Sequence, residues 1–227
     1  MSSAHPKLLG LGKYFPVFPL SGALLLPGGK LPLNIFEKRY LALVEDALGA
    51  GRLFGMVQPE RQAGAGEDGP PLYQVGCLGR IASFSETDDG RYLITLLGLS
   101  RFRITEETSP KRGYRRVSAD FAAFAADLAD SPEEPGFDRP VLLAALRGYF
   151  SHRGFEANWD AINLMKDNDL VVTLCMVCPF DPAEKQALLE APLPSDRART
   201  LLTLLQIDMH APPSDDAGEP KSRGRAS

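Results

Sequence analysis

The chain is short of the residues from which enzymes and metal sites are built. Its only histidines are His5, His152 and His210, two of them near the chain ends, so a Ser-His-Asp triad has one available base. His152 is better read as a surface residue near a helix C-terminus, where an imidazolium suits the helix dipole. Cys77, Cys175 and Cys178 are an odd number. No secretory segment precedes them, because Leu24, Leu25 and Leu26 are hemmed in by Pro19 and Pro27. Disulfide staples are not expected, and a reducing cytoplasm is the expected location. The net charge of −4 lacks the basic excess that phosphate binding requires, which speaks against nucleic acid as a partner. No uninterrupted apolar run approaches the ~20 residues of a membrane span.

What remains is an ordinary globular composition, 44% hydrophobic and 24% charged over 227 residues, enough for one large domain or two small ones. The first half reads as short strands around one helix. Residues 14–20 look like an edge strand, since Pro16 and Pro19 cannot donate to a central ladder. Pro27, Gly28 and Gly29 make a turn. Phe36, Tyr40, Leu43, Val44 and Ala47 then recur at helical spacing, and Gly49 and Gly51 end that helix. Residues 53–57 fit a buried strand and 62–71 a surface loop. Residues 72–84 and 91–105 read as strands joined at Asp89-Gly90, a hairpin signal, and 117–124 supply one more. Six or so short strands suggest a closed or nearly closed barrel.

The pattern changes after Asp130. Residues 131–140 contain three prolines and mark the expected boundary between a β domain (1–130) and a helical bundle (131–210), followed by a polar tail (211–227). Leu142, Ala145, Leu146, Tyr149 and Phe150 repeat at helical spacing, as do Leu170, Thr173, Leu174, Val177 and Cys178. Asp181, Pro182 and Glu184 sit where an N-cap, a first-turn proline and a capping-box acid belong. A last helix carries Ala198, Leu201, Leu202, Leu205 and Met209.

Chemical motifs are near misses. Gly28-Gly29-Lys30 lacks the first glycine of a phosphate loop and is followed by Leu31 where Ser or Thr should stand. Gly98-Leu99-Ser100-Arg101-Phe102 has the wrong last residue for a nucleophile elbow. Cys175-Met176-Val177-Cys178 ends an apolar helical stripe instead of opening a helix after a strand, so its thiols read as core and not as a redox pair. No second pair exists to complete a zinc site. Lys111, Arg112, Arg115 and Arg116 around Tyr114 could grip single-stranded nucleic acid, but most such runs are solvated strand faces. Neither a cofactor nor a metal is called for.

Several blocks occur together and in order. Phe15-Pro16-Val17-Phe18-Pro19-Leu20, followed by Leu26-Pro27-Gly28 and Leu31-Pro32-Leu33, resembles the opening strand, turn and second strand of the Lon protease N-terminal domain family. Ile35-Phe36-Glu37-Lys38-Arg39-Tyr40 resembles its first helix as found in stand-alone members. Residues 73–81, 98–104, 179–181 and 184–191 match further blocks. The resemblance implies an α+β fold, a PUA-like β-barrel with one inserted helix followed by a helical bundle. It also implies a non-catalytic module that holds unfolded or specific polypeptides, as an adaptor or regulator in protein quality control beside a separate protease. The sequence carries neither the Walker motif nor the Ser-Lys dyad of full-length Lon. The alternatives are a PUA-like binder of RNA or a small molecule, and a thiol enzyme.

The expected polypeptide-binding face carries Glu37, Lys38 and Arg39 beside the turn holding Pro27 and Lys30. The helical stripe turns Phe36, Tyr40, Leu43 and Val44 inward and leaves the three charges facing solvent. Substrate contact at this helix is carried over from the family.

Overall fold

The computed structural model describes residues 6–8, 10–60, 69–129 and 134–210. His5, residues 62–68 of the expected loop, 131–133 of the expected boundary and the expected tail lie outside them. Six strands form one sheet: β1 (Phe15–Pro19), β2 (Lys30–Ile35), β3 (Leu53–Val57), β4 (Val75–Glu86), β5 (Tyr92–Lys111) and β6 (Tyr114–Asp120). Their order is β2-β5-β4-β3-β1-β6, and β6 also pairs with β5. The 20-residue length of β5 makes this possible. Its first half pairs with β2 and β4, and its second half reaches β6. A ring β5-β4-β3-β1-β6 therefore closes on itself, with β2 outside it. Because β1 and β3 run parallel while the other pairs are antiparallel, the sheet is mixed and only partly answers to the expected barrel.

The ring interior is filled by Phe15, Val17, Leu53, Val57, Leu78, Phe102 and Val117. Phe102 fits because two glycines face it. A Cβ at Gly55 would come within 2.7 Å of its ring, and one at Gly76 within 2.6 Å, so these strand glycines mark a close approach. The opposite faces of the same strands supply Phe18, Phe54 and Met56 to a larger cluster. Burial on both faces explains why every residue of β3 is buried.

β1 is not an edge strand. It lies between β3 and β6, yet its prolines cost the ladder nothing. The Leu20 amide donates to Val57 O of β3, so even-numbered amides point toward β3 and odd-numbered ones toward β6. Pro16 would donate toward β3, but that pairing begins only at Val17; Pro19 would donate toward β6, but that pairing ends at Val17. The stagger of the two neighbours removes the demand for both donors.

The inserted helix α1 (Lys38–Gly49) buries Tyr40, Leu43, Val44 and Ala47 as the spacing implies. Phe36 departs from the stripe. It falls between the end of β2 and the N-cap Glu37, outside the helical register, and is 63% exposed. The β5–β6 hairpin turns at Arg112 and Gly113, which both have positive φ, 49° and 86°, as a tight primed turn demands. β6 ends at Asp120, before the expected 124, where a kinked 3-10 stretch (Ala122–Leu128) begins.

The second half holds α2 (Arg139–Arg153), α3 (Trp159–Leu164), α4 (Asp167–Val177), α5 (Pro182–Glu190) and α6 (Pro194–His210). The capping box at Asp181 and Glu184 forms. α6 packs against α2, α4 and α5. The larger cluster runs from α1 through the Leu24-Leu25-Leu26 segment into α2, α4, α5 and α6, so one apolar core spans strands and helices. Polar contacts cross the same junction. Gln58 Nε2 donates to Pro182 O (2.9 Å), Gln186 Nε2 to Val75 O (3.1 Å) and Lys185 Nζ to Gly22 O (2.8 Å). Lys185 is buried there, and burial lowers its pKa.

Candidate functional site

A cleft of about 310 Å³ opens where the sheet meets the helices. Its walls come mainly from four places in the chain: the Pro27-Gly28 turn, β5 around Gly98 and Arg101, the end of the 3-10 stretch at Ala126, Asp127 and Ala129, and the start of α6 at Leu193, Pro194 and Arg197, with Asn168 of α4 beside them. The turn is fixed to β5 by reciprocal bonds, Gly28 N to Gly98 O at 3.0 Å and Gly98 N to Gly29 O at 2.9 Å. Gly98 has to be glycine, because a Cβ there would collide with Leu26 O, a backbone atom. Leu193 stands at the mouth, 48% exposed.

Arg101 forms the floor and is 3% exposed. Its Nε and Nη2 grip both carboxylate oxygens of Asp127 at 2.8 and 2.9 Å, and the Arg101 amide also donates to Asp127 Oδ2. Nη1 donates to Ala191 O (2.6 Å) and Leu189 O (3.2 Å), at the end of α5. One side chain thus ties β5, the 3-10 stretch and the α5–α6 connection together. Arg197, 5% exposed, donates from Nε to Leu188 O at 3.0 Å, while its Nη2 is buried without a partner. Burial, followed by the nearby Arg101 charge, lowers its pKa.

The structure divides the expected site residues. Pro27 lines the cleft, and Lys30 is exposed at the first residue of β2. Glu37, Lys38 and Arg39 are exposed as expected, but at the other end of β2, which six residues of extended chain put about 20 Å away. The two groups therefore do not form one face. Glu37 and Arg39 pair with each other at 2.8 Å, and the Arg39 guanidinium lies 4.6 Å from the centre of the Tyr40 ring. Lys38 is left as the net charge of that patch, beside the exposed Phe36.

Three of the four basic residues of the β5–β6 hairpin are compensated by carboxylates, while Arg116 donates to Ser109 O. Lys111 pairs with Asp46, Arg112 with Glu45 and Asp46, and Arg115 with Glu107. Cys175 and Cys178 are buried, and burial pushes both thiols up to about 12, the opposite of thiolate activation.

Residues 14–206 match the ATP-dependent protease La (LON) substrate-binding domain. The chain belongs to this family. Lon protease 1 of Bdellovibrio bacteriovorus is 26% identical over 208 residues, 85% of this chain and 24% of that protein. Lon protease 2 of Myxococcus xanthus is 31% identical over 91 residues, 40% of this chain and 11% of that protein. The chain thus spans about a quarter or less of the length of these Lon proteases. The fold is shared with a Lon N-terminal domain protein from Xanthomonas campestris, at a TM-score of 0.55 and 24% identity over 84% of this chain and 97% of that one. It is shared too with the N-terminal domain of Mycobacterium avium complex Lon protease, at 0.57 and 16% over 86% and 98%. Against this Lon-domain background, the residues that sequence reasoning missed are Arg101, Asp127, Leu193 and Arg197. Arg197 carried a signal, since Arg197, Leu201 and Leu205 are spaced i, i+4, i+8 and share the buried stripe of α6.

Proposed function

We propose that this Lon substrate-binding domain binds unfolded or specific polypeptides in the cleft between sheet and helices, without catalysis of its own. The observation carrying the reading is that cleft: an apolar mouth of Leu193, Pro27, Pro192 and Leu97 over a polar floor, on a chain whose family is defined by substrate binding. Clefts of a few hundred Å³ with apolar walls and a few placed polar groups are the usual form of a recognition site. In this reading the partly closed ring is a PUA-like barrel serving as a rigid support. The module acts in the cytoplasm as an adaptor or regulator beside a separate protease. Among the described residues no helix is long and apolar enough to cross a membrane.

A second contact at Phe36, Glu37, Lys38 and Arg39 is favoured by one observation, the exposure of Phe36 next to the charged patch. The test is binding of a fluorescent, permanently unfolded carboxymethylated protein, read by anisotropy. Leu193→Asp places a charge at the mouth and is expected to weaken binding. Replacing Glu37, Lys38 and Arg39 together by Ala is expected to weaken it only if that patch contributes. Both variants should melt like the parent, since exposed substitutions change stability by about 0.5 kcal/mol or less. Unchanged affinity in both would withdraw the proposal.

A further inference from the structure

Charge in the cleft does not balance. Among the described residues Asp127 is the one acidic side chain lining it, and both of its oxygens are held by Arg101. Arg197 also lines the cleft, is 95% buried by its 5% exposure, and has a buried Nη2 with no partner. A buried guanidinium is normally matched by an anion, because desolvating an uncompensated charge is costly. Two helix N-termini reach the same cleft, α4 through Asn168 and α6 through Pro194. Acidic residues in the same first turns, Asp167 and Asp169 on α4 and Asp196 on α6, offset the peptide dipoles there, so the positive charge of the cleft rests on Arg197.

We propose that the cleft is a carboxylate subsite, taking the free C-terminus of a bound polypeptide with Arg197 as its counter-charge. This rests on the polypeptide-binding reading and specifies which part of the client enters. A chain end suits the space, since about 310 Å³ is the lower end of the range for small-ligand pockets. The residue before the carboxylate would meet Leu193, Pro27 and Leu97 at the mouth. Among the described residues no lysine, which a phosphate-rich ligand would favour, lines the cleft.

The test uses a fluorescein-labelled ten-residue peptide ending in Phe-Leu, as the free acid and as the C-terminal amide, titrated with the whole chain. Amidation is expected to weaken binding by about tenfold or more, the scale of a hydrogen bond to a charged group. Arg197→Met is expected to bind acid and amide alike. If that variant fails to fold, the acid and amide on the parent protein still decide. Equal affinity of the two peptides for the parent overturns the carboxylate subsite and leaves polypeptide binding standing. Loss of all peptide and unfolded-protein binding overturns both. Acetate or succinate binding as tightly as the free-acid peptide would identify a small carboxylate as ligand and overturn the polypeptide assignment.

Discussion

Replacing Arg101 by Ala removes the one side chain that joins β5, the 3-10 stretch and the end of α5. Asp127 would keep its carboxylate at 10% side-chain exposure with no guanidinium, and the carbonyls of Leu189 and Ala191 would lose their donor. Breaking a buried pair from one side costs about 3–5 kcal/mol, because a desolvated charge is left behind. At about 2–4 °C per kcal/mol for a chain of this size, the melting temperature should fall by roughly 6–20 °C. Urea and thermal denaturation followed by circular dichroism measure this directly. Arg101→Met combined with Asp127→Leu removes both charges and should recover much of the loss, since a matched apolar pair carries no stranded ion. Lysine at 101 should rescue only in part, because an ammonium cannot reproduce the two-pronged grip. A loss below about 1 kcal/mol for Arg101→Ala would refute the reasoning, as would a double variant no better than the single one.

Gly98→Ala should destabilise by about 3 kcal/mol by forcing the Leu26 backbone out of place, and should weaken binding in the cleft whose wall it shifts; a melt within error of the parent would contradict this. The Cys175 and Cys178 thiols rise from an ordinary 9.0 to about 12 in the folded chain. Between those values the unfolded state binds fewer protons than the folded one, so stability should decline as pH climbs above 9, with Cys175→Ala/Cys178→Ala flattening that decline in urea midpoints. Limited proteolysis should cut first within residues 131–140 or 62–71 or in the tail; early cuts inside 72–104 would count against the closed strand ring.

Much of this protein follows from local pattern. The α1 stripe at Tyr40, Leu43, Val44 and Ala47, the β3 strand, the Asp181–Glu184 capping box and the Asp89-Gly90 turn each depend on residues close in sequence, where spacing and side-chain type decide the outcome. Family membership was legible for the same reason, being a series of such local blocks in order. Tertiary structure decided the rest. β1 became central because its two neighbours are staggered, so that neither proline faces a partner, and no spacing within residues 15–19 records that stagger. Arg101 alternates with Phe102 as if it faced water, yet α5 and its following loop cover that face. Alternation reports one buried face and is silent about a second layer. The cleft itself draws its walls from the turn at Pro27, from β5, from Asp127 and from the start of α6, and its uncompensated charge exists only where those four segments meet.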